Sequence, residues 1–111
     1  MSNLPQVYYK DYLNMDRKPD GGEVESVGIQ ITWQRGPLRV DGSDVLLPPN
    51  GAFVETVIEV AKHRLEFYQT TQFRCEENAE AIKKLGEAIE VLQSRIKRRE
   101  VEGTLGTYTG S

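Results

Sequence analysis

The stretch AIKKLGEAIEVLQSRIKRRE, residues 81–100, contains the most regular apolar repeat in the chain and decides its fold. Its apolar residues recur at intervals of three and four, at Ile82, Leu85, Ile89, Leu92 and Ile96. This spacing places the apolar side chains along one face of an α-helix. One step beyond the repeat in each direction lie two polar residues, Asn78 and Arg99. The sequence therefore predicts a long amphipathic helix, from about residue 74 to 100, with polar residues in line at both ends of its apolar face.

An earlier segment, GAFVETVIEVAKHRLEFYQ at 51–69, predicts another amphipathic helix. Its apolar positions are again spaced by three and four, at Val54, Val57, Ile58, Ala61, Leu65 and Tyr68. Asn50 precedes this segment and is expected to cap its first free N–H groups. Only Thr70-Thr71-Gln72 separates the two helical patterns, which is too short for anything except an antiparallel reversal. We expect an antiparallel two-helix hairpin over residues 50–101.

The residues before the hairpin show the pattern of short strands. Ile29, Ile31 and Trp33 alternate with polar residues, which favours a half-buried strand. Asp41-Gly42 predicts a hairpin turn between Leu38-Arg39-Val40 and Val45-Leu46-Leu47. Pro48-Pro49 ends the strand region because proline cannot donate to a β-ladder.

These patterns together predict the α+β fold class, with a small N-terminal antiparallel β-sheet followed by a C-terminal antiparallel two-helix hairpin. We expect a single domain over residues 1–111. Residues 1–26 are expected to form an N-terminal arm or edge strand, residues 27–49 a β region, and residues 102–111 a small polar tail.

Composition excludes several classes of function. The net charge of −3 and the pI near 5.2 argue against general binding to nucleic acid, because such proteins usually carry a basic face. There is no long apolar run and no signal-peptide pattern, so we expect a cytosolic protein without a membrane partner. Cys75 and His63 are the only cysteine and histidine, so these residue types cannot form the cluster that a metal site or nucleophilic catalysis normally needs. We expect no catalytic residues, no metal and no cofactor.

Two arginines at the end of the second helix are candidate ligand-binding residues. Arg95 and Arg99 are one turn apart, so their side chains start roughly 6 Å apart along the helix and border the apolar face. Two guanidinium groups held in this way suit a diphosphate, which each can bind bidentately. The alternative is about equally favoured, in which the arginine stems cover apolar surface while their charged ends stay in water. Ala81 and Ala88 lie in line with Arg95 and are small enough for a second subunit to approach closely.

Aromatic residues are concentrated near the predicted turn between the helices. Phe67, Tyr68 and Phe73 could stack on a nucleotide base, which contributes about 1–3 kcal/mol per contact. For Phe67 or Phe73 alone, filling the end of the hairpin is at least as good an explanation. Asn78 could cap the second helix, bond across the hairpin or contact a ligand.

The chain also resembles a known family in four segments: WQRGP (33–37), NGAFVETVIEVAKHRLEFYQ (50–69), FRCEENAEAIKKLGEAI (73–89) and LQSRIKRREVEGTLGT (92–107). These resemble the phage Thoeris anti-defence sponge family of the first described type, whose helical hairpin is shared with an anti-CBASS sponge. The resemblance covers about residues 27 to 108.

The resemblance implies a non-enzymatic binder that sequesters cyclic ADP-ribose isomers of the glycocyclic type, made by the TIR-domain sensor of the Thoeris system. It implies a homo-oligomer, a dimer or a hexamer, with pockets between two protomers in the host bacterial cytoplasm. By position, Arg95 and Arg99 match ligand-binding arginines, and Asn78 and Tyr68 match other pocket contacts. Some members also bind cyclic di- or trinucleotides at a separate site.

Three alternatives remain open at this point. The chain could be a sponge for the cyclic di- or trinucleotide signals of CBASS. It could be a structural phage adaptor that uses the hairpin for coiled-coil contacts. It could also be a hydrolase of the cyclic signal, against which the lack of a nucleophile–base pair counts.

Overall fold

The computed structural model describes residues 4–38 and 45–102, and the side chains of these residues as far as Arg95. Its elements are the strands β1 (Tyr8–Leu13), β2 (Pro19–Ser26) and β3 (Ile29–Thr32), followed by the helices α1 (Val54–Tyr68) and α2 (Glu76–Glu102). The predicted α+β class, with an N-terminal antiparallel sheet followed by two helices, is confirmed. The chain divides after Phe53 into a sheet unit and a hairpin unit. The assignment of residues 1–111 to a single domain stays a prediction.

The sheet unit is a three-stranded antiparallel meander in the order β1-β2-β3. Residues 1–26, expected as an arm or edge strand, contribute both the edge strand β1 and the central strand β2. The β1–β2 turn is closed by Asn14, whose Oδ1 accepts hydrogen bonds from the backbone N–H groups of Asp16 and Lys18 at 2.8 and 3.0 Å. The β2–β3 turn contains Gly28 at a φ of 79°, a conformation that glycine adopts without strain. The hairpin turn predicted at Asp41-Gly42 lies outside the described residues.

Two distant segments of the sheet unit, residues 33–35 and 50–52, cross each other closely. Trp33 and Ala52 form an isolated parallel bridge, in which the backbone N–H of Gln34 donates to the Ala52 carbonyl at 2.9 Å. A Cβ atom on Gly51 would lie only 2.5 Å from the Trp33 carbonyl group. Glycine is therefore needed at position 51 because the two backbones leave no room for a side chain.

The prediction that Asn50 caps the first helix is wrong. The helix α1 begins at Val54, four residues later, and the Asn50 side chain bonds to the backbone of Arg35 instead. Its Oδ1 accepts from the Arg35 N–H at 2.7 Å and its Nδ2 donates to the Arg35 carbonyl at 2.9 Å. Asn50 satisfies both backbone groups of one residue, as a neighbouring strand would.

The hairpin unit confirms the apolar repeat of the second helix as far as its side chains are described. Ile82, Leu85, Ile89 and Leu92 are all half-buried in α2. The helix α1 contains no fully buried residue, and Val24 is the one buried side chain in the described residues. Neither helix is long and apolar enough to span a membrane. The described part of one protomer thus encloses very little core.

Candidate ligand-binding site

The turn between the helices is braced by one side chain, Gln69. Its Oε1 accepts hydrogen bonds from the backbone N–H of Cys75 at 3.0 Å and from Nδ2 of Asn78 at 3.2 Å. Its Nε2 donates to the Cys75 carbonyl at 3.1 Å. Since Gln69 directly follows α1 and Cys75 directly precedes α2, these bonds join the two helix ends. Gln69 thereby orients Asn78, a candidate binding residue.

The helix α2 begins at Glu76, two residues later than predicted, because Cys75 occupies its N-cap position. The Cys75 carbonyl accepts the first helical hydrogen bond, and its Sγ accepts from the backbone N–H of Asn78 at 3.4 Å. The Asn78 side chain donates through Nδ2 to Gln69 and, at 3.4 Å, to the Phe73 carbonyl. Its Oδ1 accepts no hydrogen bond from the described residues, so this atom can accept one from a ligand.

Tyr68 lies in a small aromatic cluster at the same end of the hairpin. Its half-buried ring lies 6.0 Å from the ring of Phe67, at an interplanar angle of 52°. The Tyr68 hydroxyl accepts a hydrogen bond from Nε of Arg64 at 3.3 Å. Phe73, in the turn, is 68% exposed and does not fill the end of the hairpin. This end of the hairpin therefore presents accessible ring surface to solvent.

Arg95 lies at the opposite end of the hairpin, beside the start of α1. Its Nη2 is 3.8 Å from Oε2 of Glu55, and the two side chains are 42% and 19% exposed. This ion pair is too long for a direct hydrogen bond, so it leaves the donor groups of Arg95 available. The side chain of Arg99 lies outside the described part of the molecule.

One protomer does not bring the predicted site residues together. Tyr68 and Asn78 lie near the turn, whereas Arg95 follows Asn78 by 17 residues in the same helix. At about 1.5 Å per residue, this separation is roughly 25 Å. Each end of the hairpin therefore carries only part of the predicted set.

Two residues at the turn end, Arg64 and Gln69, were not among the predicted site residues. Arg64 lies one helical turn before Tyr68, and that i,i+4 spacing is the signal that could have identified it. Gln69 carries no such signal, because its partners lie across the turn. In the described ranges no group of three or more His, Cys, Asp or Glu residues could hold a metal ion.

One ion pair on α1 joins two residues one helical turn apart. Nζ of Lys62 donates to Oε2 of Glu66 at 2.9 Å, and this hydrogen bond raises the pKa of Lys62. Glu66, which directly precedes Phe67 in the chain, is thereby engaged by Lys62. The exposed pair Glu80–Lys84 in α2, at 3.2 Å, has the same i,i+4 spacing.

Comparison with known proteins assigns the hairpin to a family. A family model described as "Acb2/Tad1, hairpin domain" matches residues 25–97, which include Tyr68, Asn78 and Arg95. A protein named Thoeris anti-defense 1, from Bacillus phage SBSphiJ7, is 37% identical over 78 residues, covering 70% of this chain and 51% of the relative. The chain thus spans about half the length of this relative. Because both matches cover most of this chain, the chain belongs to the Acb2/Tad1 hairpin domain family.

Proposed function

We propose that this chain is a phage anti-defence protein that binds a cyclic ADP-ribose isomer made by a Thoeris TIR-domain sensor and sequesters it without cleavage. The relative is named Thoeris anti-defense 1, and this name supports the proposed anti-defence role. The proposal that the ligand binds between protomers rests on one observation: the predicted site residues are divided between the two ends of one hairpin. The protein would act in the cytoplasm of the infected bacterium, where the signal is made.

A second copy of the chain completes the site. If two hairpins lie side by side in opposite directions, the arginine end of one meets the turn end of the other. A two-fold axis then creates two identical pockets, each with Tyr68 and Asn78 from one protomer and Arg95 and Arg99 from its partner. The proposed functional unit is therefore a homo-oligomer, of which a dimer is the smallest form and a hexamer a larger one.

The chemistry of the two half-sites fits the two parts of such a ligand. The rings at the turn end offer a stacking surface for a base, and Oδ1 of Asn78 offers an acceptor for a hydroxyl or an exocyclic amine. Arg95 and Arg99 supply the planar donor groups that bind a diphosphate. Because the contact between Arg95 and Glu55 is long, the Arg95 guanidinium can still donate hydrogen bonds to phosphate oxygens.

Sequestration without turnover is proposed on chemical grounds. The chain has one histidine and one cysteine, and both His63 and Cys75 are exposed, one in α1 and one at the N-cap of α2. Hydrolysis of a glycosidic or phosphate bond without a metal needs a positioned base or nucleophile within hydrogen-bonding reach of the scissile bond. None of the four proposed pocket residues is a histidine, a cysteine or a carboxylate, the groups that most often fill this role.

The test is recovery of the bound molecule. Purified protein is incubated with lysate in which a TIR-domain sensor has been activated, then washed and heat-denatured, and the released material is analysed by mass spectrometry. We expect an intact cyclic ADP-ribose isomer, close to one per protomer. The variant Arg95→Ala should release at least about ten-fold less. Lys84→Ala, which removes the same charge from an exposed position of α2, should release as much as the unmodified protein.

Other outcomes distinguish the alternatives. Release of linear ADP-ribose, absent from a denatured control, would identify a hydrolase. Release of nothing from the lysate, together with binding of cyclic di- or trinucleotides, would identify a sponge for CBASS signals. Failure to bind any of these molecules would leave the structural adaptor as the better account.

A further inference from the structure

Arg64, an exposed residue of α1, is held by two aromatic rings and one hydroxyl group. Its Cζ lies 4.9 Å from the centroid of the Phe67 ring and 5.0 Å from that of Tyr68. The two rings are tilted by 52° and so face the guanidinium group from two directions. Nε of Arg64 donates to the Tyr68 hydroxyl at 3.3 Å. Two cation–π contacts and one hydrogen bond thus fix a long, exposed side chain.

The position leaves the two terminal nitrogens of Arg64 open. Within residues 4–38 and 45–95, neither Nη1 nor Nη2 has a hydrogen-bond or carboxylate partner. Glu66, two residues away in sequence, is engaged by Lys62 at 2.9 Å. The edge formed by these two nitrogens is the part of arginine that binds two oxygens of one phosphate group.

We infer that Arg64 is an anion-binding residue of the proposed nucleotide site, and that the Tyr68 hydroxyl orients it. This inference rests on the proposed function. The group bound is a phosphate of the same ligand whose base stacks at the turn end. Because the aromatic rings already hold the guanidinium in place, little side-chain freedom is lost when the phosphate binds. Tyr68 then has two roles, as an aromatic surface and as a hydrogen-bond acceptor for Arg64.

The inference is tested by a double-mutant cycle on Arg64 and Tyr68, measured by calorimetric titration with a cyclic ADP-ribose isomer purified from a TIR-domain sensor reaction. We expect Arg64→Ala to weaken binding by about 10-fold or more, as for loss of a charge-assisted hydrogen bond. Arg64→Lys should recover only part of that loss, because lysine lacks the planar pair of donors. Tyr68→Phe keeps the ring and should weaken binding about 3-fold or more through the loss of orientation.

The cycle separates orientation from stacking. If the hydroxyl acts through Arg64, Tyr68→Phe should have no further effect in protein that already carries Arg64→Ala. The matched control is Arg74→Ala, an exposed arginine in the same turn region, which should bind within about 2-fold of the unmodified protein. All variants are compared at equal melting temperature and oligomeric state.

Each outcome has a defined meaning. Unchanged affinity in Arg64→Ala, alongside a loss in Arg95→Ala, would overturn the role of Arg64 and leave the proposed function intact. An equal loss of affinity in Arg74→Ala would indicate that a diffuse basic surface attracts the ligand, and would overturn the inference. If the unmodified protein does not bind the ligand, both the proposed function and this inference fail.

Discussion

Two groups compete for the guanidinium of Arg95: a carboxylate of its own chain and the phosphates of the proposed ligand. In the protomer, Glu55 lies 3.8 Å away, a distance at which attraction is electrostatic and no hydrogen bond forms. With Arg95 42% exposed, water and salt weaken that attraction further. A diphosphate offers two short, charge-assisted hydrogen bonds to the same guanidinium group. The ligand should therefore displace Glu55 at modest cost.

The arginines of α2 should differ sharply in their contribution to binding. We predict that Arg95→Ala or Arg99→Ala each weakens ligand binding by about 10- to 100-fold, since each removes charge-assisted hydrogen bonds worth about 1.5–3 kcal/mol. By helical spacing, Arg98 is expected about a third of a turn from Arg99, away from the apolar face. Arg98→Ala should therefore lose only screened, longer-range attraction and stay within a few-fold of the unmodified protein. Lysine at position 95 or 99 should recover part of the loss. Calorimetric titration decides the ranking, and an equal effect at all three positions would rule out a defined diphosphate contact.

At the scale of elements, glycines 51 and 86 occupy opposite environments. At position 51, a Cβ atom would meet the Trp33 backbone at 2.5 Å, and backbone atoms cannot rotate away as a side chain can. At position 86, within α2, a Cβ atom would meet only the end of the flexible Lys62 side chain, at 3.6 Å. The first glycine is required by a close crossing of two segments. The second has no such requirement within the described protomer.

Alanine at these two positions should change stability in opposite directions. Gly51→Ala is predicted to lower the free energy of unfolding by about 1–3 kcal/mol, because the crossing segments must move apart. Gly86→Ala is predicted to raise it by about 0.8–1 kcal/mol, the difference in helix propensity between the two residues. Denaturant unfolding followed by circular dichroism measures both. A stability loss in Gly86→Ala would contradict the prediction and would indicate close packing at this position that one protomer does not contain.

At the scale of the whole molecule, the protomer leaves much apolar surface in water. Val24, 8% exposed, is its one buried side chain in the described ranges, whereas Val60 and Val91 on the two helices are 64% and 67% exposed. Soluble monomers normally bury most of their large apolar side chains, since each contributes about 1.5–3 kcal/mol when removed from water. Burial against a second copy of the chain would supply the core that a single hairpin lacks.

The protein is therefore predicted to be at least dimeric at micromolar concentration. Static light scattering coupled to size-exclusion chromatography gives the mass directly, against 12.6 kDa for one chain. Ala88→Arg should shift the mass toward that of a monomer and weaken ligand binding, because it blocks close approach along the predicted line of small residues. Glu87→Arg places the same side chain at the adjacent exposed position and serves as the control. A monomer that binds ligand with full affinity would contradict a pocket shared between protomers.

The elements that were predictable are those determined by local interactions. Helix periodicity, the short turn and the alternation of β3 each depend on residues a few positions apart, so the hairpin and its apolar face followed from the sequence. The helices begin three and two residues later than predicted, because the Trp33–Ala52 bridge precedes α1 and Cys75 caps α2. Periodicity carries no information about such contacts.

The sequence by itself determined the α+β class, the antiparallel hairpin and the candidate residues Tyr68, Asn78, Arg95 and Arg99. Tertiary structure alone decided that Asn50 bonds to Arg35, 15 residues away, and caps no helix. It also decided that Gln69 bonds across the turn to Cys75 and Asn78. The physical reason is the same in each case. A polar side chain bonds to whichever partner the folded backbone brings within about 3 Å, and the sequence does not specify that distance.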